Sequence, residues 1–211
     1  MSVLQDQASR GDGRIPTSLV GSYAQPNWLI DRERLRGRFP PRVRATELWR
    51  VDPGYLEEAQ DMQARPDAAR QYRVDVLNEA TSGVNGTVAV HICFGYAAII
   101  HQRPSGYSFL AELAGTECNQ VSIETAQSGL ELEVLEALGG KTIILGVLDL
   151  STDEVEAGAT VNHRIRRAFP YVRAERLVAA PDCGMKYLPR GVAYGKLEAL
   201  VQGAGLASQP A

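Results

Sequence analysis

The residues of this chain best equipped for chemistry are its three cysteines and three histidines, and two of them share one short run. In Val88 to Tyr96, VAVHICFGY, His91 and Cys93 stand two residues apart in an otherwise apolar, β-branched stretch. Side chains alternate between the faces of a strand, so the imidazole and the thiol project from one face while Val90 and Ile92 project from the other. Asn85-Gly86 supplies a turn before the run and Gly95 a turn after it, and a parallel strand buried on both faces reads this way. One face presenting imidazole and thiol is a way to offer two metal ligands. The competing reading is a buried thiol acting as a small hydrophobe beside a hydrogen-bonded histidine.

The elements that would position these groups follow from pattern. Residues 1–14 are polar and aperiodic and read as a mobile tail. Ile15 to Tyr23, IPTSLVGSY, reads as a short strand ending at Gly21, and a strand ending in Gly21-Ser22 lets backbone approach a ligand. Residues 28–36 look helical with a charged face. Arg32 to Arg50 carries seven arginines interrupted by Pro40-Pro41, which cannot continue a helix, and reads as a solvated basic segment. A helical stretch, YLEEAQDMQAR, stops near Pro66, and Asp67 caps the next helix, which ends at Ser82-Gly83. His101 falls in a loop. Gln120 to Thr125 alternates Val121 and Ile123 with Ser122 and Glu124, a strand with one polar face. Leu130 to Leu138 reads as an acidic amphipathic helix closed by Gly139-Gly140, and Lys141 to Leu150, KTIILGVLDL, as the most hydrophobic strand. A basic helix over Val161 to Phe169, a last strand over Ala174 to Ala180, Cys183 in the turn PDCG and a helix over Tyr194 to Gly203 complete the order.

From residue 69 onward helix and strand alternate four times, the order of an α/β fold with a parallel sheet. Ligands bind at the carboxyl edges of parallel strands. His91, Cys93, Glu124, Asp149 and Cys183 are therefore expected to converge on one rim although 92 positions separate the first from the last. Two thiolates, an imidazole and a carboxylate suit zinc, a tetrahedral ion favouring nitrogen and sulfur donors. With Glu124 as a displaceable ligand, a thiol substrate could take the fourth position and bind as thiolate. Close Cys-x-x-Cys pairs, the usual mark of a structural site, are absent.

Composition narrows the field. A net charge of −3, with 45% hydrophobic and 22% charged residues over 211 positions, is that of an ordinary soluble globular protein. No stretch approaches the roughly 18 apolar residues of a membrane span and no apolar signal core opens the chain, so a cytoplasmic location is expected. Three widely spaced cysteines argue for reduced thiols rather than a disulfide framework. No long basic run points to nucleic acid.

VAVHICFGY, VSIETAQSG, ILGVLDLS and APDCGMK occur in the order, and with neighbours similar to those, of the signatures of the catalytic domain of cobalamin-independent methionine synthases and their short single-domain relatives. The chain resembles that family over about residues 15–203, and the opening SLVGSYAQP resembles the family's first barrel strand. The resemblance implies a (β/α)8 barrel of the methionine synthase and uroporphyrinogen decarboxylase kind, over a single domain spanning 15–211. It implies zinc held by His91, Cys93, Glu124 and Cys183, substrate contacts at Gly21, Ser22 and Glu124, and methyl or alkyl transfer to a thiol, with homocysteine the first choice. Asp149 is the candidate catalytic residue at the end of its strand. The implied partners are a small thiol and a methyl donor, folate or corrinoid. Alkyl transfer or lyase chemistry of the coenzyme M type, or a non-catalytic zinc-binding remnant, are the alternatives.

Two departures qualify the resemblance. A Gly-Glu motif and an Ile-Asp-Glu-Pro motif, which supply the family's carboxylates for the substrate ammonium, have no counterpart in the 64 residues between Tyr23 and Val88, and an internal junction falls near 61/62. The histidine the family places after its Val-Tyr-Asp strand is replaced by Asp149-Leu150-Ser151-Thr152. A closed eight-stranded barrel needs roughly 200 to 250 residues or more, and about five parallel strands are recognisable, so an incomplete or rearranged barrel is expected. Its open sheet edge invites self-association.

Overall fold

The computed structural model describes residues 13–21, 66–94, 106–107 and 110–210. The expectations at 1–12, at Ser22, for helices over 28–36 and 55–65, for the junction near 61/62 and at His101 lie outside the described residues.

Among the described residues four strands form one parallel sheet: β1 (Ala89–Ile92), β2 (Gln120–Glu124), β3 (Thr142–Leu148) and β4 (Leu177–Pro181), in the spatial order β1-β2-β3-β4. Between them run α1 (Pro66–Thr81) ahead of β1, the single turn α2 (Leu110–Leu113) ahead of β2, a 3-10 helix over Leu132–Leu138 ahead of β3, α3 (Gly158–Arg166) ahead of β4, and α4 (Arg190–Ala207) after it. The expected α/β class with a parallel sheet is what the chain adopts. Among the described residues no helix is long and apolar enough to cross a membrane.

Register sorts the strand residues into two faces. Val121 pairs with Ile143 and Ile143 with Leu177, and this side packs with Val161, Ile165 and Leu200 of the helices into the main core. On the opposite side His91, Ser122, Ile144 and Val178 lie in one row, with Glu124, Gly146 and Ala180 two residues further along. Val20 joins Ile144, Val178 and Ala180 in a small separate cluster on that side. All five residues of β2 are buried, so its polar face looks into the protein and not into solvent. Burying Ser122 and Glu124 in this way requires hydrogen-bond partners for both.

Several elements differ from the sequence reading. β1 is half-exposed instead of buried on both faces, with Ala89 and His91 exposed, because it stands at an end of the sheet among the described residues. The segment after Ile15 makes a single parallel bridge, Thr17 to Ala179, flanked by Ser18 N–H to Ala179 O at 2.9 Å and Ala179 N–H to Pro16 O at 2.9 Å. Pro16 has no N–H with which to extend the ladder, and the amide of Ile15 turns to Ser208 Oγ at 2.8 Å. The acidic helix is 3-10 rather than α. Its buried Leu132, Leu135 and Leu138 recur every third residue, and a 3-10 helix stacks such positions on one face. Residues 174–176, expected as strand, form a 3-10 turn before β4. Cys118, in the loop before β2, is buried, with Thr116 Oγ1 2.9 Å from its sulfur.

Helices α3 and α4 cross at close quarters. A Cβ on Gly203 would sit 2.4 Å from Val161 Cβ, so only glycine permits this approach. Within α4 the fully buried Lys196 sends its Nζ to Asp149 O at 2.9 Å, to Glu156 Oε2 at 2.8 Å and to the carbonyl of Glu154. Glu156 Oε1 also accepts the Asp149 N–H at 2.7 Å and an Arg164 N–H at 3.1 Å. This network pins the loop from 149 to 157 at the carboxyl edge of β3.

Candidate metal centre

His91 is carried by β1, Cys93 follows that strand directly, and Cys183 lies two residues beyond the end of β4. One ligand atom from each of the three lies within 4.8 Å of the others. The two sulfurs are 3.7 Å apart, with the Cys183 thiol donating to Cys93. Two sulfurs bound to one tetrahedral zinc ion at about 2.3 Å each would stand roughly 3.8 Å apart, so the donor types and the sulfur spacing both fit that ion. The His91 Nδ1 lies 2.9 Å from Ser122 Oγ, its register partner on β2. With Nδ1 engaged by that hydroxyl, Nε2 is the nitrogen left to face a metal, and a neutral ring ligating through Nε2 would carry its proton on Nδ1.

The backbone on both sides of Cys93 is held. Phe94 N–H donates to Glu124 Oε2 at 3.2 Å, and the Phe94 ring stacks on Tyr107 with centroids 4.2 Å apart. The Tyr107 hydroxyl approaches Ile92 O at 3.5 Å. Burial first, then the nearby charges of Glu124 and Cys93, hold the Tyr107 phenol well above its ordinary range, so it stays neutral. The Cys183 thiol is likewise pushed up, by its hydrogen bond with Cys93 and by burial. Coordination by a cation reverses that preference and favours thiolates.

Of the remaining predicted residues, Glu124 is fully buried at the end of β2 and is not a member of the three-residue group. Its Oε2 accepts from Phe94 N–H and from Gln127 Nε2 at 2.8 Å. Asp149 ends β3's run half-exposed, and its Oδ1 accepts Ser151 N–H at 2.8 Å and Ser151 Oγ at 2.6 Å, a local turn in its own loop. It too stands apart from the group. Gly21 has φ +62°, a conformation open to glycine at no cost, and its α-carbon faces Gly184: an added Cβ would lie 3.2 Å from Gly184 Cα. The first-strand segment thus ends against the turn that carries Cys183.

Sequence reasoning passed over Asp182, Gln127, Ser122 and Tyr107. Asp182 is fully buried, and burial raises its carboxyl to about 7 against the opposing hydrogen bonds from the Gln127 and Ala126 amides. The available signal was an aspartate placed directly before a candidate ligand in a turn.

Strand-end thiols and an imidazole on a parallel α/β sheet define a class, the α/β proteins whose sites lie at the carboxyl rim of their strands. The chain belongs to a particular family within it: residues 51–206 match the cobalamin-independent synthase catalytic domain. It is similar to the methionine synthase of Saccharolobus solfataricus, 33% identical over 137 residues covering 62% of this chain and 37% of that protein. It is also similar to the methionine synthase of Pyrococcus furiosus, 30% identical over 131 residues covering 61% and 36% of the two. Among solved structures it is similar to a B12-independent methionine synthase from Shewanella in complex with selenomethionine, with a TM-score of 0.58 at 28% identity, covering 66% of this chain and 44% of that one. The matched region thus spans less than half the length of these relatives, and the four paired strands form an incomplete barrel among the described residues.

Proposed function

We propose that this chain transfers a methyl or other alkyl group to a thiol, with homocysteine as the leading acceptor and methionine as its product, using zinc held by His91, Cys93 and Cys183. The observation that carries this reading is the 3.7 Å separation of the Cys93 and Cys183 sulfurs beside His91 at the strand ends. Glu124 is the proposed fourth ligand, the one that yields to substrate. Zinc bound there would lower the pKa of an incoming thiol and keep it as a nucleophilic thiolate at neutral pH.

The protein's own groups then bind and orient. Cys93 and Cys183 supply sulfur donors, Ser122 holds the Nδ1 edge of His91, and Gly21 brings backbone to the Cys183 turn and, with Ser22, is proposed to hold the amino-acid part of the substrate. In the transfer the substrate sulfur forms a bond to the methyl carbon, the bond from that carbon to the donor breaks, and its electron pair leaves with the donor. The thiol proton passes to solvent. Asp149 is the proposed polar group on the donor side of the rim, held in place through its backbone by Glu156 and Lys196.

A second reading is a zinc-binding remnant without turnover, favoured by the missing Gly-Glu and Ile-Asp-Glu-Pro motifs. Zinc-loaded protein given labelled methyl donors should convert homocysteine to methionine. Transfer to 2-mercaptoethanesulfonate in preference to homocysteine would shift the reading to coenzyme M-type chemistry. Retained zinc with no transfer to either thiol would leave the remnant.

A further inference from the structure

Cys93 and Cys183 lie 90 positions apart in the chain, on segments that follow β1 and β4, with two strands between them, yet their sulfurs are in contact. A continuous hydrogen-bonded path joins the backbones that carry them. Beside Cys183, the buried Asp182 carboxylate gathers three consecutive amides of the loop after β2: Thr125 N–H at 3.3 Å and Ala126 N–H at 3.1 Å on Oδ1, and Gln127 N–H at 2.6 Å on Oδ2. Gln127 then sends its side-chain Nε2 to Glu124 Oε2 at 2.8 Å. The same oxygen accepts the N–H of Phe94 at 3.2 Å, directly after Cys93.

We propose that Asp182 and Gln127 are positioning residues that fix the separation of the two thiols, Asp182 by anchoring the loop after β2 to the Cys183 turn and Gln127 by passing that anchorage through Glu124 to the Cys93 backbone. The orientation of Gln127 supports the role. Its Oε1 is buried with no hydrogen-bond partner, and flipping the amide to relieve this would set an oxygen against the Glu124 carboxylate. The donor end is therefore the end that is used. A role confined to bracing the loop is separable from this one, because Asp182 grips Gln127 through its backbone, and the side chain of Gln127 adds nothing to that grip. The inference rests on the metal reading for one of its two readouts only.

The test uses the full chain with Cys118→Ser, which leaves two thiols, and compares it with Gln127→Ala, Gln127→Glu and Asp182→Asn in that background. Without metal, phenylarsine oxide bonds both thiols of a close pair, their two protons leaving with its oxygen as water, and its capture rate reads their spacing. With metal, competition against a chromophoric chelator reads zinc affinity, and the cobalt(II) spectrum reads ligand geometry. Gln127→Ala should keep its thermal midpoint, slow arsenical capture by about tenfold or more, and weaken zinc by about 10- to 100-fold, the range for loss of a group that orients a ligand. Gln127→Glu, which sets a carboxylate against Glu124, should lose at least as much. Capture and affinity unchanged in both Gln127 variants would overturn the proposal, whatever Asp182→Asn does to folding. If the background protein binds no zinc, the metal reading fails, while slowed capture in Gln127→Ala would still support the clamp.

Discussion

Gly146 on β3 lies directly beneath Asp182: a Cβ there would stand 2.4 Å from Asp182 Oδ1, 2.8 Å from Asp182 Cα and 2.9 Å from Ile123 O. Two of these neighbours are backbone and cannot swing aside. The β3–β4 register shifts between Gly146 and Leu148, and Asp182 N–H reaches Leu148 O at 3.3 Å, so the irregularity is what carries Asp182 over the sheet.

Gly146→Ala should accordingly destabilise the protein by about 2 kcal/mol or more, within the range for overpacking a tight interior. Urea unfolding of the metal-free protein measures this. A stability equal to that of the parent would show that the turn holding Asp182 is softer than the contact distances imply.

Stoichiometric zinc is the next expectation. Metal analysis should find close to one zinc per chain, and Cys93→Ala and Cys183→Ala should each remove most of it. Cys118→Ser should keep the metal, since Cys118 is buried against Thr116 and its carbonyl receives Lys141 Nζ at 2.9 Å, away from the three-residue group. Full retention of zinc by both alanine variants would dispose of the centre.

His91, Cys93 and Cys183 were legible in the sequence because each is a rare donor placed at a strand end, and a parallel sheet brings its carboxyl ends to one edge. The Asp182 clamp was not, since its partners lie 55 to 57 positions away and are backbone amides, which carry no sequence signature. Glu124 was visible as a residue, but its engagement with the amides of Phe94 and Gln127 depends on how neighbouring strand ends pack. Lys196 looks like a solvated helix cation in sequence, and only the assembled helix layer shows it fully buried. The 3-10 form of Leu132–Leu138 was hidden because leucines spaced by three also satisfy an α-helical stripe.

Lys196 and Glu156 make a second set of expectations. Their ion pair is 2.8 Å long, with side-chain exposures of 0% and 8%. Removing one partner of a buried pair leaves an uncompensated charge and costs about 3–5 kcal/mol. Glu156→Gln, which leaves the buried Lys196 without a carboxylate, should lower stability by that order, Lys196→Met should cost less because Glu156 keeps its pair with Arg164, and the double variant should recover part of the Glu156→Gln loss. A double-mutant cycle in denaturant with no coupling would refute the pairing as a stabilising contact.

The choice of methyl donor follows from the residues after β3. Where the family places a histidine, this chain has Leu150-Ser151-Thr152, and Asp149 spends its Oδ1 on Ser151. A folate leaving group would find no imidazole there to protonate it. Methyltetrahydrofolate should therefore turn over far more slowly than a methylcorrinoid, in side-by-side assays with homocysteine at saturating zinc. Equal rates with the two donors would contradict this.

Recognition of the amino-acid portion of the acceptor is the last expectation. The three donors of the proposed metal centre come from β1 and from the segments after β1 and β4, whereas the carboxylates that neutralise the substrate ammonium in the resembling family belong to motifs absent between Tyr23 and Val88. A buried ammonium without a partner costs several kcal/mol as an order of magnitude, so amino-acid specificity should be lost before metal affinity. Calorimetric titration of the zinc-loaded chain should give homocysteine and 2-mercaptoethanol dissociation constants within about tenfold of each other, a difference of 1.4 kcal/mol or less. Sedimentation of the same samples should show self-association, the other consequence of an arc of parallel strands that does not close among the described residues. Homocysteine bound a thousandfold more tightly (~4 kcal/mol) by a monomer would mean that another carboxylate serves the ammonium. Asp149 at the end of β3 and Glu112 in α2 would then be the first positions to change to asparagine and glutamine, and whichever variant brought homocysteine back to the affinity of 2-mercaptoethanol would identify the group.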